Sequence, residues 1–184
     1  MSATIWTTYP YSRGHIHITG PKTSDAPDFR TGFFSDAEGA DIKQAVWAYK
    51  KQREILRRMT VYRGELAATH PPFPASSDAA ATETDGPLAD VRDITYTAED
   101  DAIIERWLRG NVGSTWHSMG TCKMAPLGRD GVVDPALGVH GVEGLRVADL
   151  SIVPENVGAN TANTAFAVGE KAADVFLGDL GLGA

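Results

Sequence analysis

The stretch TWHSMGTCKM, residues 115–124, holds the chain's one cysteine, Cys122, five positions after His117. A thiol and an imidazole at that distance raise two chemistries, a nucleophilic cysteine and a metal-ligand pair. A nucleophilic cysteine needs its pKa lowered by a base, a helix N-terminus or a cation. Five residues is poor registry on a helix, and on a strand it sets the two side chains on opposite faces. Lys123 is adjacent and points the other way in a strand. Cys122 therefore reads as a small packing side chain.

His15 and His17 alternate with Ile16 and Ile18 in GHIHITG. Two histidines at i, i+2 share a strand face and could bind a metal, but a catalytic zinc usually takes three protein ligands and no third stands at a suitable spacing. No metal is expected. His70, beside two prolines, and His140, in a turn-like run, read as loop histidines. A Ser-His-Asp triad could be assembled from Ser118 or Ser151, His117 and Asp149. It lacks the G-x-S-x-G elbow that exposes a nucleophilic serine. His117 is left with two readings by residue type, a satisfied structural histidine or a proton-transfer group.

A second segment bears on that choice. In RVADLSIVPENVGANTANTAFAVGEKAADVF (146–176) a strand expected to be buried, Leu145–Ala148, ends at Asp149, and a loop with Pro154 and Gly158 follows. Asn160 and Thr161 then stand at the threshold of a long apolar helix, expected from Thr161 to Leu177 and presenting Phe166, Val168, Ala172, Ala173 and Phe176. Free N–H groups at a helix start carry partial positive charge and favour an anion. Asn160 as an ordinary N-cap is the plainer account, but it does not explain so polar an approach to so apolar a helix.

The elements that must position these groups follow from periodicity. GHIHITG is a short strand, and residues 20–32 are a turn-rich connector. From Asp36 the pattern is helical, with Ile42, Val46, Tyr49, Leu56 and Met59 on one face. Lys50, Lys51, Arg53, Arg57 and Arg58 fall mostly outside that face, and Asp36 is the expected N-cap. Residues 70–87 are rich in Pro, Ser, Ala and acid and read as a surface loop. A brief strand is expected around Ile94 to Tyr96. Thr97 and Asp100 then form a capping box for a helix that buries Ile103, Ile104, Trp107 and Leu108 and stops at Gly110. The fold class is α+β.

The net charge of −7 over 184 residues opposes a nucleic-acid partner, whose phosphates want a basic face. No run reaches the roughly 18 apolar residues of a membrane span, and no signal peptide is seen at the start. No G-x-G-x-x-G follows a strand, and there is no Walker-type loop. A phosphate-cradling loop for a nucleotide cofactor is therefore not in this chain.

Taken in order, YPYSRGHIHITGPKTSDAPDF, VWAYKKQREILRRM, GELAATHPPFP, WHSMGTCKMAP and GVVDPALGVHGVEGLRVADLSIVPENVGANTANTAFAVGEKAAD resemble the C-terminal part of the glucose–methanol–choline oxidoreductases. Within that family they are most similar to the fungal alcohol (methanol) oxidases. The resemblance covers nearly the whole chain and implies an antiparallel sheet backed by helices for residues 1–112, the substrate-domain portion. It implies a strand-helix piece of the FAD-binding domain within residues 113–184, with that domain's N-terminal part missing.

The resemblance also implies the roles. His117, in W-H-S-x-G-T-C, matches the catalytic base, and Asn160 matches the second active-site position. Trp116 matches the aromatic position beside the flavin, Asp149 a cofactor contact, and Thr161 and Ala162 the amides near the flavin pyrimidine ring. The implied reaction is oxidation of a short primary alcohol to an aldehyde, with oxygen reduced to hydrogen peroxide and FAD as cofactor. A base takes the hydroxyl proton as hydride leaves the α-carbon, and an amide holds the same oxygen. The implied partners are a small alcohol and oxygen, with a homo-oligomer or the missing N-terminal FAD domain as protein partner. Relatives imply a peroxisomal or cytoplasmic location. The alternatives are a truncated non-catalytic remnant or assembly module that does not bind FAD alone, or a family member acting on aryl alcohols or sugars.

Overall fold

The computed structural model describes residues 3–182. It divides into two compact units, residues 1–14 with 31–113, and residues 15–30 with 114–184. Among the described residues the regular elements are β1 (His15–His17), β2 (Asp28–Arg30), α1 (Ala40–Arg57), α2 (Ala98–Asn111) and α3 (Ala162–Asp179). The class is mixed α and β, with a small antiparallel sheet, as expected. No helix among the described residues is long and apolar enough to cross a membrane.

The first unit is built on α1 and α2, which pack together. Ile42 and Tyr49 of α1 and Ile103 and Ile104 of α2 are buried, while Trp107 and Leu108 are half-buried. The start of α1 corrects the sequence reading. The N-cap is Gly39, in the left-handed region at φ 60°, and not Asp36. Asp36 still satisfies the first turn from outside it, accepting from the amides of Ala40 at 2.5 Å and Asp41 at 3.4 Å. Thr97 and Asp100 form the expected capping box, each side chain accepting from the other's amide, at 3.1 and 2.8 Å. The helix runs one residue past Gly110, to Asn111.

Arg53 overturns the expectation that the basic residues of α1 face outward. It is 2% exposed. Its Nε and Nη2 donate to the two oxygens of Glu65 at 2.9 and 2.6 Å, and its Nη1 donates to the carbonyl of Ala79 at 2.9 Å. A planar guanidinium can satisfy a carboxylate and carbonyls at once, which makes its burial tolerable. The 70–87 segment is thereby more than a surface loop, since Ala79 is fully buried. Residues Ile94–Tyr96 form no strand. Their polar groups are spent on α1, the Ile94 amide donating to Glu54 at 2.8 Å and the Tyr96 hydroxyl receiving Arg53 at 3.3 Å.

In the second unit β1 and β2 pair antiparallel, with Ile16 opposite Phe29 and His17 opposite Asp28. Its core gathers Val133, Leu137, Ile152 and Ala172, with Met124, Val147, Val168 and Phe176 packed against them. Leu145–Ala148 is neither a strand nor buried, and Leu145 is 50% exposed. The chain there makes one isolated bridge, Gly138 to Arg146, within a set of bridges that also links Val133 to Met124 and Val139. Frequent glycines and a proline break the run before a ladder can extend. Helix α3 buries Ala172 and half-buries Val168 and Phe176, whereas Phe166 is 73% exposed.

Candidate active site

His117 and Asn160 both belong to the second unit and hang from one core. The chain after His117 runs beside a 3-10 turn at Leu150–Ile152. The amides of Gly120, Cys122 and Met124 donate to the carbonyls of Leu150, Ser151 and Ile152 at 3.3, 2.9 and 2.7 Å. Gly120 has φ 82°, and a Cβ there would stand 3.2 Å from the Val153 carbonyl, so glycine suits this close approach. Ile152 anchors the turn in the core that also holds Ala172 of α3. Turn and helix are in contact.

Across this frame Nε2 of His117 lies 2.8 Å from Oδ1 of Asn160. Nδ1 of His117 meets the carbonyl of Thr115. Asn160 is not the N-cap of α3. That position is Thr161, which is 7% exposed and makes no side-chain capping bond. The amides opening the helix at Ala162 are therefore not capped by Thr161, and the Asn160 side chain is turned to His117 instead.

Asp149 accepts from the Ser151 amide at 2.7 Å and opens the 3-10 turn. Hydrogen bonds from the Ser151 hydroxyl and amide hold its carboxyl below the usual aspartate range. The nitrogens of His117 meet Thr115 and Asn160, and the Asp149 carboxylate is held by Ser151. Cys122 is half-buried and tied by its amide to Ser151, consistent with packing. Among the described residues no cluster of three or more His, Cys, Asp or Glu suits a metal. His15 instead stacks on His17 at 5.0 Å and meets Asp28 at 3.3 Å.

A cleft of about 460 Å³ is lined by Ser118, Met119, Thr121, Asp149, Ser151 and Ala165, among others. Trp116 is 90% exposed, with its backbone in the left-handed region at φ 58°. Ser114 and Thr115, which the sequence reading does not single out, hold Trp116 and His117, and Ser151, weighed there only as a triad serine, holds Asp149 through its amide. Ser114 and Asp149 each stand two residues before the amide they accept from, the spacing of Ser and Asx turns.

Residues 10–169 match the GMC oxidoreductase family model. The chain belongs to the GMC oxidoreductases. It is 40% identical to alcohol oxidase 1 of Komagataella phaffii over 94% of this chain and 33% of that protein. It is likewise 40% identical to alcohol oxidase of Candida boidinii, over the same shares. A solved fungal aryl-alcohol oxidase superposes with TM-score 0.61 at 29% identity, over 94% of this chain and 24% of that one. A solved FAD-dependent oxidoreductase from Chaetomium thermophilum gives TM-score 0.67 at 27% identity, covering 94% and 26%. This GMC chain spans about a third of the length of the alcohol oxidases it matches.

Proposed function

We propose that this chain is the base-bearing C-terminal section of an FAD-dependent alcohol oxidase that converts a short primary alcohol to an aldehyde and oxygen to hydrogen peroxide. The observation that carries the reading is the 2.8 Å contact between His117 and Asn160 at the start of α3, in a chain 40% identical to alcohol oxidases.

The residues present suit one side of a flavin. The first turn of α3 lacks a side-chain cap from Thr161, so the amides at Ala162 are suited to negative charge on a ring. Asp149 lines the cleft as an ionised hydrogen-bond acceptor, and the Trp116 ring is exposed beside His117. Bound FAD supplies the hydride acceptor and passes the two electrons to oxygen.

The chain's own residues then have distinct tasks. Nε2 of His117 takes the alcohol proton as the C–H bond opposite breaks. The Asn160 amide holds the same oxygen and fixes its distance from the base without competing for the proton. Imidazolium at His117 afterwards stands as a fixed positive charge where oxygen is reduced.

The test fuses this chain to the flavin-binding portion of the Candida boidinii alcohol oxidase and measures peroxide formed from methanol, benzyl alcohol and glucose. Peroxide from methanol that falls roughly 100- to 10,000-fold in His117→Gln supports the assignment. A flavin-loaded fusion whose turnover is unchanged by that substitution refutes it.

A further inference from the structure

The turn immediately before His117 is unusual in a way that alcohol oxidation alone does not require. Trp116 has φ 58°, a region that bulky L-residues rarely occupy. Its ring is 90% exposed, so packing of the ring does not hold the backbone there. What does hold it is local. The Trp116 amide donates to the Ser114 hydroxyl at 2.9 Å. The reversal this creates brings the Thr115 carbonyl onto Nδ1 of the following histidine.

A carbonyl oxygen can only accept, so Nδ1 must carry the proton of that contact. A neutral imidazole has one N–H, and the other nitrogen then holds the lone pair. That other nitrogen is Nε2, which faces Asn160. We propose that Ser114, Thr115 and Trp116 form a tautomer lock, positioning residues that keep the His117 proton on Nδ1 and leave Nε2 as the nitrogen that exchanges protons. The lock deepens the reading of His117 as base and takes its catalytic meaning from it. The tautomer itself is a property of this chain with or without a flavin.

A consequence falls on Asn160. Its Oδ1, the atom facing Nε2, can accept only when Nε2 is protonated, in the imidazolium form. While no substrate is bound and His117 is neutral, the same side chain must present its N–H₂ to Nε2. A half-turn of the amide exchanges the two groups with little change in shape, so Asn160 serves both states of the base. A carboxylate there would serve only the charged one.

The experiment is ¹⁵N–¹H correlation of the imidazole rings in the uniformly labelled 184-residue chain, with His117 assigned by the signals lost in His117→Gln. At alkaline pH, above the histidine range, His117 is expected to show a protonated Nδ1 and an unprotonated Nε2. Free histidine side chains in water prefer the reverse. Ser114 is exposed, and Ser114→Ala is expected to raise the Nε2–H form roughly 2- to 10-fold, the range of one hydrogen bond. Ser114→Thr keeps the hydroxyl and should restore the ratio.

Two further variants probe the backbone. Trp116→Gly accepts the left-handed conformation and should keep the lock, whereas β-branched Trp116→Val disfavours it and should loosen it. A wild-type His117 that is mostly Nε2–H, or a ratio indifferent to both Ser114→Ala and Trp116→Val, overturns the proposal. A locked tautomer in a chain whose flavin-bearing fusion makes no peroxide would reject the oxidase reading and leave the lock standing. Peroxide formation with an unlocked tautomer would do the reverse.

Discussion

Asn160 reaches Nε2 of His117 at 2.8 Å from 43 residues further along the chain, and it does so from the position just before the Thr161 N-cap of α3. A residue that would ordinarily cap a helix has its side chain committed elsewhere. If Asn160 holds the substrate oxygen together with an imidazolium, its truncation removes a hydrogen bond to a charged group. Asn160→Ala in the flavin-bearing fusion is then expected to lower kcat/KM for methanol roughly 10- to 150-fold, about 1.5–3 kcal/mol. Steady-state peroxide assays decide this, and an unchanged kcat/KM would remove Asn160 from the site.

Arg53 and Glu65 form the pair whose loss should matter most to stability. They are 2% and 6% exposed at the side chain. Removing one partner strands a buried charge, at about 3–5 kcal/mol. Arg53→Met should cost that much in urea unfolding, and the double variant Arg53→Met with Glu65→Leu should recover a large part of it. By contrast Arg109 and Glu105 are about half exposed at 2.9 Å, and Arg109→Ala should cost under about 1 kcal/mol.

Stability should fall on acidification in two stages. Burial, and secondarily Arg53, hold the His70 imidazole below its ordinary 6.5, against the pull of Glu65. Its Nδ1 sits 2.8 Å from the Tyr49 hydroxyl, which donates to it while His70 is neutral. The folded state binds this proton less readily than the unfolded chain, so the contribution is complete above about pH 6.5 and is lost as pH falls through the lowered value. For Glu65 and Asp100, burial is outweighed by hydrogen bonds, from Arg53 and Thr82 in one case and Ser77 and Thr97 in the other. Both carboxyls are held below their ordinary 4.5 and 3.8. Their stabilisation is present above those values and lost below them. Urea midpoints across pH should show both stages, and His70→Gln should abolish the first.

Two glycines should respond in opposite directions. A Cβ at buried Gly131 would lie 1.8 Å from the Ala125 carbonyl oxygen, a backbone atom that cannot step aside. Gly131→Ala is therefore expected to cost about 2 kcal/mol or more. Gly169 lies within α3 with nothing within 4 Å of its added Cβ. Gly169→Ala should stabilise by about 0.5–1 kcal/mol, through helix propensity and the entropy of the unfolded chain. Thermal unfolding of the two variants measures both.

The parts of the fold legible in the sequence are those decided within a few residues. Thr97 and Asp100 announce a helix start because both hydrogen bonds of the capping box close inside four positions. The apolar spacing of Ile42 and Tyr49, and of Ile103 and Ile104, marks buried faces because helical period is a local property. Arg53 could not be read in this way. Periodicity sends a charge outward unless a partner waits inside, and its partners Glu65, Ala79 and Tyr96 come from three later segments. Asp36 reads as a cap in the sequence, whereas its carboxylate reaches the first-turn amides past Gly39, whose left-handed φ the sequence pattern does not display.

The same division runs through the site. The ordered motifs that resemble the family implied, without any structure, that His117, Asn160, Trp116, Asp149, Thr161 and Ala162 belong to one candidate centre. They also separated His117 from Cys122, since five residues suit neither a helix face nor a strand face. Only the tertiary structure decided the long-range contact. It brought Nε2 of His117 onto Asn160 across 43 positions, whereas Thr115 on Nδ1 and Asp149 on Ser151 each close within two residues. The reason is physical: a local motif fixes which groups are present, whereas their separation depends on how the Leu150–Ile152 turn and α3 pack around Ile152 and Ala172. The His117–Asn160 contact exists only once that core has formed.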